Sequence, residues 1–113
     1  MKPAAYVFPL TAVVVFLQAL TGASTVLNFY DFNAHMSSGY VTVVVAIAAV
    51  VIAFVVEPKY NALRYSSLGL LALAVLQGLV GFAAETSDRL VAVHFANSLV
   101  LYGVSIATVF YAF

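Results

Sequence analysis

The chain contains no cysteine, and only 7% of its 113 residues are charged. Without cysteine it can form neither disulfides nor thiolate metal clusters, and it cannot attach heme covalently through a Cys-x-x-Cys-His motif. A soluble domain carries roughly a quarter charged residues, so this scarcity excludes an ordinary water-exposed surface. The formal net charge is zero, which gives no electrostatic reason to expect a nucleic-acid partner.

Apolar sequence fills the chain instead, since 65% of the residues are hydrophobic. A helix needs about 20 mostly apolar residues to cross a bilayer. The sequence holds four such stretches, at about 4–27, 34–56, 63–84 and 90–113. They are apolar on every face, whereas the strands of a membrane barrel alternate polar and apolar residues. We therefore predict an all-α membrane protein, with one transmembrane four-helix domain over residues 1–113.

The sequence repeats itself at an offset of 59 residues. Residues 17–22, Leu-Gln-Ala-Leu-Thr-Gly, recur as residues 76–81, Leu-Gln-Gly-Leu-Val-Gly. The same offset relates His35 to His94, the only two histidines in the chain. Each copy predicts one helical hairpin, and two parallel hairpins have a pseudo-twofold axis along the membrane normal. The two repeats cover about 4–56 and about 63–113.

The basic residues predict an orientation in the membrane. Lys2, Lys59 and Arg64 lie at one end of the predicted helices, and Arg89 lies at the other end. Cytoplasmic segments carry an excess of Lys and Arg. We therefore predict a multi-pass protein of the cytoplasmic membrane, with both termini and the 57–64 connection inside the cell.

The two histidines are the leading candidates for a binding site. His35 and His94 each lie near the start of the second helix of a hairpin, on the predicted outer side. In a four-helix bundle with pseudo-twofold symmetry they face one another across the central axis, as the two axial ligands of one heme do. Without cysteine the heme is not covalently attached, and we expect heme b rather than a modified heme, although the sequence itself does not distinguish them. The alternative is that both imidazoles lie at the headgroup interface or hydrogen-bond within the bundle.

Two glycines are expected opposite the histidines. Folding each hairpin about its turn brings Gly22 level with His35 and Gly81 level with His94. A glycine at this point leaves clearance for a flat, bulky guest such as heme. Close helix–helix packing, for which membrane helices favour small residues, explains the glycines equally well.

Charged side chains near the predicted outer side could support a heme. Arg89 could pair with a heme propionate, because a guanidinium group suits a carboxylate. It could equally pair with Asp88 or Glu85, or anchor the helix at the interface. Asp31 could accept a hydrogen bond from the second ring nitrogen of His35 and so fix the orientation of its ring.

Gln18 and Gln77 occupy equivalent positions of the two repeats. A buried amide in lipid must find hydrogen-bond partners. We expect a structural role, in which the two amides bond to each other across the bundle or tie one hairpin to the next. A zinc site is a weaker interpretation of the histidines, because zinc usually takes four ligands and no carboxylate recurs beside both.

The motif around the second histidine is similar to a known family. Residues 76–81, followed by residues 91–99, Val-Ala-Val-His-Phe-Ala-Asn-Ser-Leu, resemble the heme A synthase family. In that family a Leu-Gln-x-x-x-Gly helix precedes a helix that opens with an axial histidine. The usual member has two tandem four-helix halves, each with two histidines for one heme. The resemblance covers nearly the whole chain as a single half, and it implies that His35 and His94 are axial heme ligands.

The chain departs from this family where the chemistry takes place. The catalytic half of the family has a glutamate three residues before the first histidine and usually an arginine after it, whereas this chain has Phe32 and Met36. Asp31 is one residue out of register for the glutamate. The outer-loop cysteines of many members are absent. Oxidation of a heme methyl to a formyl group also needs a substrate heme beside the cofactor heme, so two chains would have to assemble.

Three functions follow from these patterns. The first is a small b-type cytochrome, an electron-transfer subunit of a respiratory membrane assembly with a quinone or another redox partner; it requires only the two histidines and the bundle. The second is a compact heme A synthase that acts as a homo-oligomer. The third is a heme-free structural or assembly subunit with interfacial histidines. The missing glutamate favours the first.

Overall fold

The computed structural model describes residues 2–26, 32–84 and 86–113. These residues form four helices and contain no strand: α1 (Ala4–Val26), α2 (Phe32–Val51), α3 (Asn61–Ala84) and α4 (Asp88–Ala112). A π-helical turn, Ile52–Val56, continues α2. When the π-helical turn is counted with α2, the four predicted stretches agree with the helices to within two residues at each end, so the prediction of an all-α chain is confirmed.

Local signals explain where two of the helices begin and end. Ser87 has an extended backbone and its carbonyl accepts hydrogen bonds from the amides of Leu90 and Val91, both at 3.1 Å. Ser87 is therefore the N-cap residue of α4. The negative charge of Asp88 in the first turn interacts favourably with the positive end of the helix dipole. At the other connection, Glu57 leaves the helical region with φ −127° and ψ 58°, because the following Pro58 disfavours the α conformation of its predecessor.

The four helices pack in a ring. Helices that follow one another in the chain are in contact, and α1 also contacts α4. The bundle measures 43 × 22 × 18 Å, and a bilayer with its headgroups is about 40–45 Å thick. All four helices are long and apolar enough to cross a membrane. The coarse prediction of a four-helix bundle with membrane-like helices is therefore confirmed.

Small residues fill most of the core between the helices. Alanines at positions 4, 46, 49 and 53 are at most 1% exposed, and they surround the larger side chains of Phe8, Leu63 and Leu70. Buried hydroxyl groups donate to carbonyls of their own helix, as Thr11 does to Val7 at 2.8 Å. Small residues and internally bonded hydroxyls allow helices to approach closely without unpaired polar groups.

Large apolar side chains cover the outside of the bundle. Leu99 and Val55 are each 73% exposed, and Phe110 is 77% exposed. In a water-soluble bundle such side chains lie mostly inside. The distribution is therefore inverted, with small residues between the helices and large apolar residues around them.

Polar contacts join the N-terminus to the α2–α3 connection at one end of the bundle. The Glu57 carboxylate accepts a hydrogen bond from the Ala4 amide at 2.9 Å, in the first turn of α1. The Lys2 ammonium donates to the Tyr60 hydroxyl at 2.7 Å and lies 4.7 Å from the centre of its ring. This hydrogen bond raises the pKa of Lys2 above its usual value. The contacts fix the beginning of α1 against the α2–α3 connection.

Replacing Glu57 with alanine should weaken this attachment. The carboxylate satisfies an amide that has no partner within α1 and carries a charge that suits the helix N-terminus. Loss of such a cap costs about 1 kcal/mol. We expect Glu57→Ala to lower the free energy of unfolding in mixed micelles by this amount, with faster hydrogen exchange in the first turn of α1. Lys59→Ala is the control, and equal exchange in both variants would contradict this role of Glu57.

Candidate histidine site

His35 and His94 lie close together at the end of the bundle opposite to Lys2. His35 is in the first turns of α2 and His94 in the second turn of α4, and both side chains are half-buried. Their ring centroids are 6.1 Å apart, and the ring planes are nearly perpendicular at 84°. The structure thus brings together the two residues that the repeat singled out, one from each hairpin.

The ring separation can be compared with two imidazoles that share one metal ion. A metal–imidazole nitrogen bond is about 2 Å long, which places the centroids of two opposite ligand rings about 6 Å apart. The observed separation of 6.1 Å agrees with this value. Perpendicular planes are compatible with it, because each ring can turn about its own metal–nitrogen bond.

Each histidine ring rests against the glycine of its own hairpin. A Cβ atom at Gly22 would lie 2.8 Å from His35 Cε1, and a Cβ atom at Gly81 would lie 2.9 Å from His94 Cε1. Both distances are shorter than real Cβ contacts allow, so any other residue would displace the ring. The space left by the missing side chain of each glycine is occupied by the imidazole ring itself. That the glycines also make room for a heme remains a prediction.

The first hairpin surrounds His35 with hydroxyl groups. Thr21 Oγ1 lies 3.3 Å from His35 Nδ1, and it donates to the Gln18 carbonyl at 3.0 Å. Ser38, which faces Thr21 at 3.2 Å, donates to the side-chain oxygen of Gln18. These contacts connect α1 to α2 directly beneath the His35 ring.

The second hairpin holds His94 with amides instead. Gln77 Nε2 lies 3.3 Å from His94 Nε2. Asn97 Nδ2 donates to Gln77 Oε1 at 2.7 Å and to the Leu73 carbonyl at 3.3 Å. Within the part of the chain that the structure describes, the other ring nitrogen of His94, Nδ1, is buried and has no hydrogen-bond partner.

The expected roles of Gln18 and Gln77 require a correction. We expected their amides to meet across the bundle or to tie the two hairpins together. Instead, Gln18 bonds to Ser38 and Gln77 to Asn97 and His94, so each amide stays within its own hairpin. In each hairpin the facing helix supplies a polar partner for the amide, Ser38 or Asn97, three residues after the histidine.

Both histidines line one apolar cavity of about 580 Å³. Pockets for small molecules and cofactors measure roughly 300–1,000 Å³ and are mostly apolar with a few polar groups. Several large side chains that line this cavity are exposed on the outside of the bundle. They are Tyr40 and Val44 of α2, Val75, Leu79 and Phe82 of α3, and Phe95 of α4.

Of the remaining candidates, one lines the cavity, one is exposed on α4, and two lie outside the described residues. Met36, the residue after His35, lines the cavity. Arg89 is exposed in the first turn of α4, and the structure shows no ion pair between it and Asp88. Asp31 and Glu85 lie outside the described residues. The propionate role of Arg89 therefore remains a prediction.

The described residues around the two histidines offer few side-chain ligands for a metal ion. No group of three or more His, Cys, Asp or Glu residues comes together within residues 2–26, 32–84 and 86–113. The pair of histidines supplies two ligands, whereas a zinc ion usually takes four. A porphyrin supplies its own four equatorial nitrogens and requires only two axial ligands from the protein.

Three site residues were not anticipated from the sequence: Thr21, Ser38 and Asn97. Ser38 and Asn97 are three residues after His35 and His94, so each shares a helix face with its histidine. A recurring polar residue at this spacing is the signal that could have identified them. Thr21 has no such signal, because the equivalent residue in the second copy is Val80.

Comparison with known proteins adds no relative, since no protein-family model, curated protein or solved structure matches this chain.

Proposed function

We propose that this chain is an integral membrane protein that binds one b-type heme between His35 and His94 and transfers electrons within a respiratory membrane assembly. The observation that carries the proposal is the pair of imidazoles 6.1 Å apart, one from each hairpin, on the wall of an apolar cavity. A heme supplies reversible one-electron chemistry at its iron.

The inverted distribution of side chains supports insertion into a membrane. Large exposed residues such as Leu99 and Phe110 would be solvated by lipid, and small residues would mediate helix contacts. The end that carries Lys2, Lys59 and Arg64 would face the cytoplasm. The histidines, at the opposite end, would then lie toward the outer side of the cytoplasmic membrane.

The matching glycine contacts support two histidines at equivalent positions of a duplicated hairpin. Gly22–His35 and Gly81–His94 differ by only 0.1 Å in the closest approach to the ring. In the proposed repeat, a pseudo-twofold axis runs between the hairpins along the bundle. Such an axis places one imidazole on each face of a guest that lies upon it, which suits the two faces of a porphyrin.

The residue at the position of the family's glutamate, Phe32, favours electron transfer over the synthase reaction. Oxidation of a heme methyl group would need a second heme and, by resemblance to the family, a glutamate beside the first histidine. Within the described residues, no aspartate or glutamate lines the cavity. Electron transfer needs none of these groups, because the two imidazoles and a low-dielectric enclosure suffice to hold the heme and tune its potential.

Titration of the purified protein with ferric heme tests this proposal. In lipid nanodiscs we expect saturable uptake of about one heme per chain, and a pyridine extract should contain unmodified heme b. Uptake without saturation, as in lipid alone, would overturn the proposal. Extraction of a formyl heme from cells that express only this chain would favour the synthase instead.

A further inference from the structure

The cavity follows the sequence repeat in one part and departs from it in another. Val15 and Ala19 of α1 line it, and so do the α3 residues at the offset of 59, Ala74 and Gly78. The part that departs from the repeat, here called the extension, is lined by three residues of α2 and three of α3. They are Tyr40, Val43, Val44, Val75, Leu79 and Phe82.

The extension has no counterpart on the other side of the bundle. The six corresponding residues of α4 and α1 all belong to the described part of the chain, and none of them lines the cavity. The cavity is therefore larger on one side of the proposed pseudo-twofold axis than on the other.

The helix faces place the extension between α2 and α3. Consecutive residues of a helix are about 100° apart, so Val75, Leu79 and Phe82 lie on roughly the opposite side of α3 from Gln77. Gln77 bonds to Asn97 and so marks the side of α3 that faces α4. The α2 residues of the extension likewise lie away from the hydrogen bonds that join α2 to α1.

Two aromatic rings fill the corresponding space between α1 and α4. The ring centroids of Phe16 and Tyr102 are 6.0 Å apart, with 44° between the planes. At the offset of 59 residues, Phe16 corresponds to Val75 and Tyr102 to Val43. Valine is much smaller than either aromatic residue, so the α2–α3 side keeps open the space that the rings fill on the α1–α4 side.

The wall of the extension is only one side chain thick. Val44 and Leu79 line the cavity and are also 64% and 63% exposed on the outside of the bundle. Gly78 lines the cavity, is exposed, and has nothing within 4 Å of its Cβ position. Within the described residues no Asp, Glu, Lys or Arg lines the cavity. In the proposed membrane this thin apolar wall would face the hydrocarbon of the lipid.

We propose that heme enters the site sideways from the lipid, between α2 and α3, and that Val43 and Val75 keep this side passable. This inference rests on the proposed heme site. A largely apolar, flat ligand can pass here when exposed side chains change rotamer, which is a rapid motion. On the α1–α4 side it would have to separate the packed rings of Phe16 and Tyr102.

Two variants obstruct the extension in different ways. Val43→Tyr/Val75→Phe gives it the aromatic pair of the other side. Gly78→Phe adds a ring where the structure leaves open space, so the fold should tolerate it. Gly69→Phe is the matched control, because Gly69 is also in α3 with nothing within 4 Å of its Cβ position but does not line the cavity.

The first measurement follows heme uptake and release in proteoliposomes. Stopped-flow mixing with ferric heme gives the uptake rate, and excess apomyoglobin as acceptor gives the release rate. We expect both obstructed variants to slow uptake and release about tenfold or more, with an equilibrium affinity within about twofold of the wild type. Gly69→Phe should match the wild type.

Two results would overturn the inference. One is wild-type uptake rates in both obstructed variants, which would show that heme reaches the histidines by another way. The other is weaker heme binding with release no slower than in the wild type, which would show that the added rings take space from the site itself. Exchanging both pairs, by adding Phe16→Val/Tyr102→Val to Val43→Tyr/Val75→Phe, should restore fast uptake through the α1–α4 side.

The second measurement uses the heme-free protein and a phospholipid with a diazirine on its acyl chain. Such a chain is tethered to the bilayer and reaches the cavity only through a side opening. We expect photolabelling of Ala74, which is 4% exposed and lines the cavity, and none of Ala49, which is fully buried elsewhere. Gly78→Phe should abolish the label on Ala74 and Gly69→Phe should keep it. An unlabelled Ala74 in the wild type, or equal labelling in Gly78→Phe, would contradict the side opening.

The two measurements separate this inference from the proposed function. If the wild-type protein takes up no heme, the proposed function fails, while photolabelling of the same protein still decides whether the extension is open to lipid. If heme binds but its rates are unchanged in the obstructed variants, the heme site stands and the side entrance falls.

Discussion

Replacing either histidine with glycine should abolish tight heme binding. His35 and His94 come from different hairpins, and their ring centroids are 6.1 Å apart, so either variant leaves only one axial ligand. Loss of a residue that only hydrogen-bonds to a metal ligand lowers the affinity for the metal about 10–100-fold. Loss of the ligand itself should lower the affinity further. We expect at least this reduction in heme titrations of His35→Gly and of His94→Gly, and loss of the low-spin spectrum in both.

Free imidazole should restore the spectrum of these variants. Each ring occupies space beside a glycine, and removal of the side chain leaves a hole of matching shape at the cavity wall. Millimolar imidazole can then supply the missing nitrogen. Phe110→Ala removes an exposed ring from the same helix as His94 and should leave heme binding unchanged. Heme affinity equal to the wild type in either histidine variant would show that this histidine is not a ligand.

Replacing Gly22 or Gly81 with alanine should separate heme affinity from helix stability. The new Cβ atom would lie 2.8 or 2.9 Å from Cε1 of the facing histidine, so the ring has to move by several tenths of an ångström or more. Heme affinity should fall about tenfold or more, or on the order of 1.4 kcal/mol. The stability of the helix should not fall, because alanine is favoured over glycine by about 0.5–1 kcal/mol in a helix interior.

Two other glycines provide matched controls for this experiment. A Cβ atom at Gly69 or Gly103 would meet nothing within 4 Å. Gly69→Ala and Gly103→Ala should therefore keep full heme affinity and gain the same helix stability. If Gly22→Ala and Gly81→Ala bind heme as tightly as these controls, the ring positions seen here are not required for binding.

The helices and the meeting of the histidines could be predicted from the sequence because both depend on spacing. A hairpin folded about its turn fixes which residues are level, and this suffices to pair Gly22 with His35 and Gly81 with His94. The apolar stretches fix the helices in the same way, since lipid-length helices leave little freedom in where they begin and end.

The hydrogen bonds around the histidines depend on rotamers, which spacing does not determine. Gln18 accepts a hydrogen bond from Ser38 on the facing helix, a contact that depends on the rotamers of both side chains. The contact of Thr21 with His35 could not be predicted from the repeat, because the residue equivalent to Thr21 in the second copy is Val80. The π-helical turn at Ile52–Val56 is likewise local, and it ends where the Glu57 amide bonds to the Ile52 carbonyl at 2.8 Å.

The reduced-minus-oxidised absorption spectrum of the heme-reconstituted wild-type protein tests the central claim most directly, because only two strong axial ligands give a six-coordinate, low-spin iron in both oxidation states. Ligation by His35 and His94 predicts sharp low-spin bands at a stoichiometry of one heme per chain. A protein that stays colourless after reconstitution, or that shows only the broad bands of high-spin heme, would contradict it.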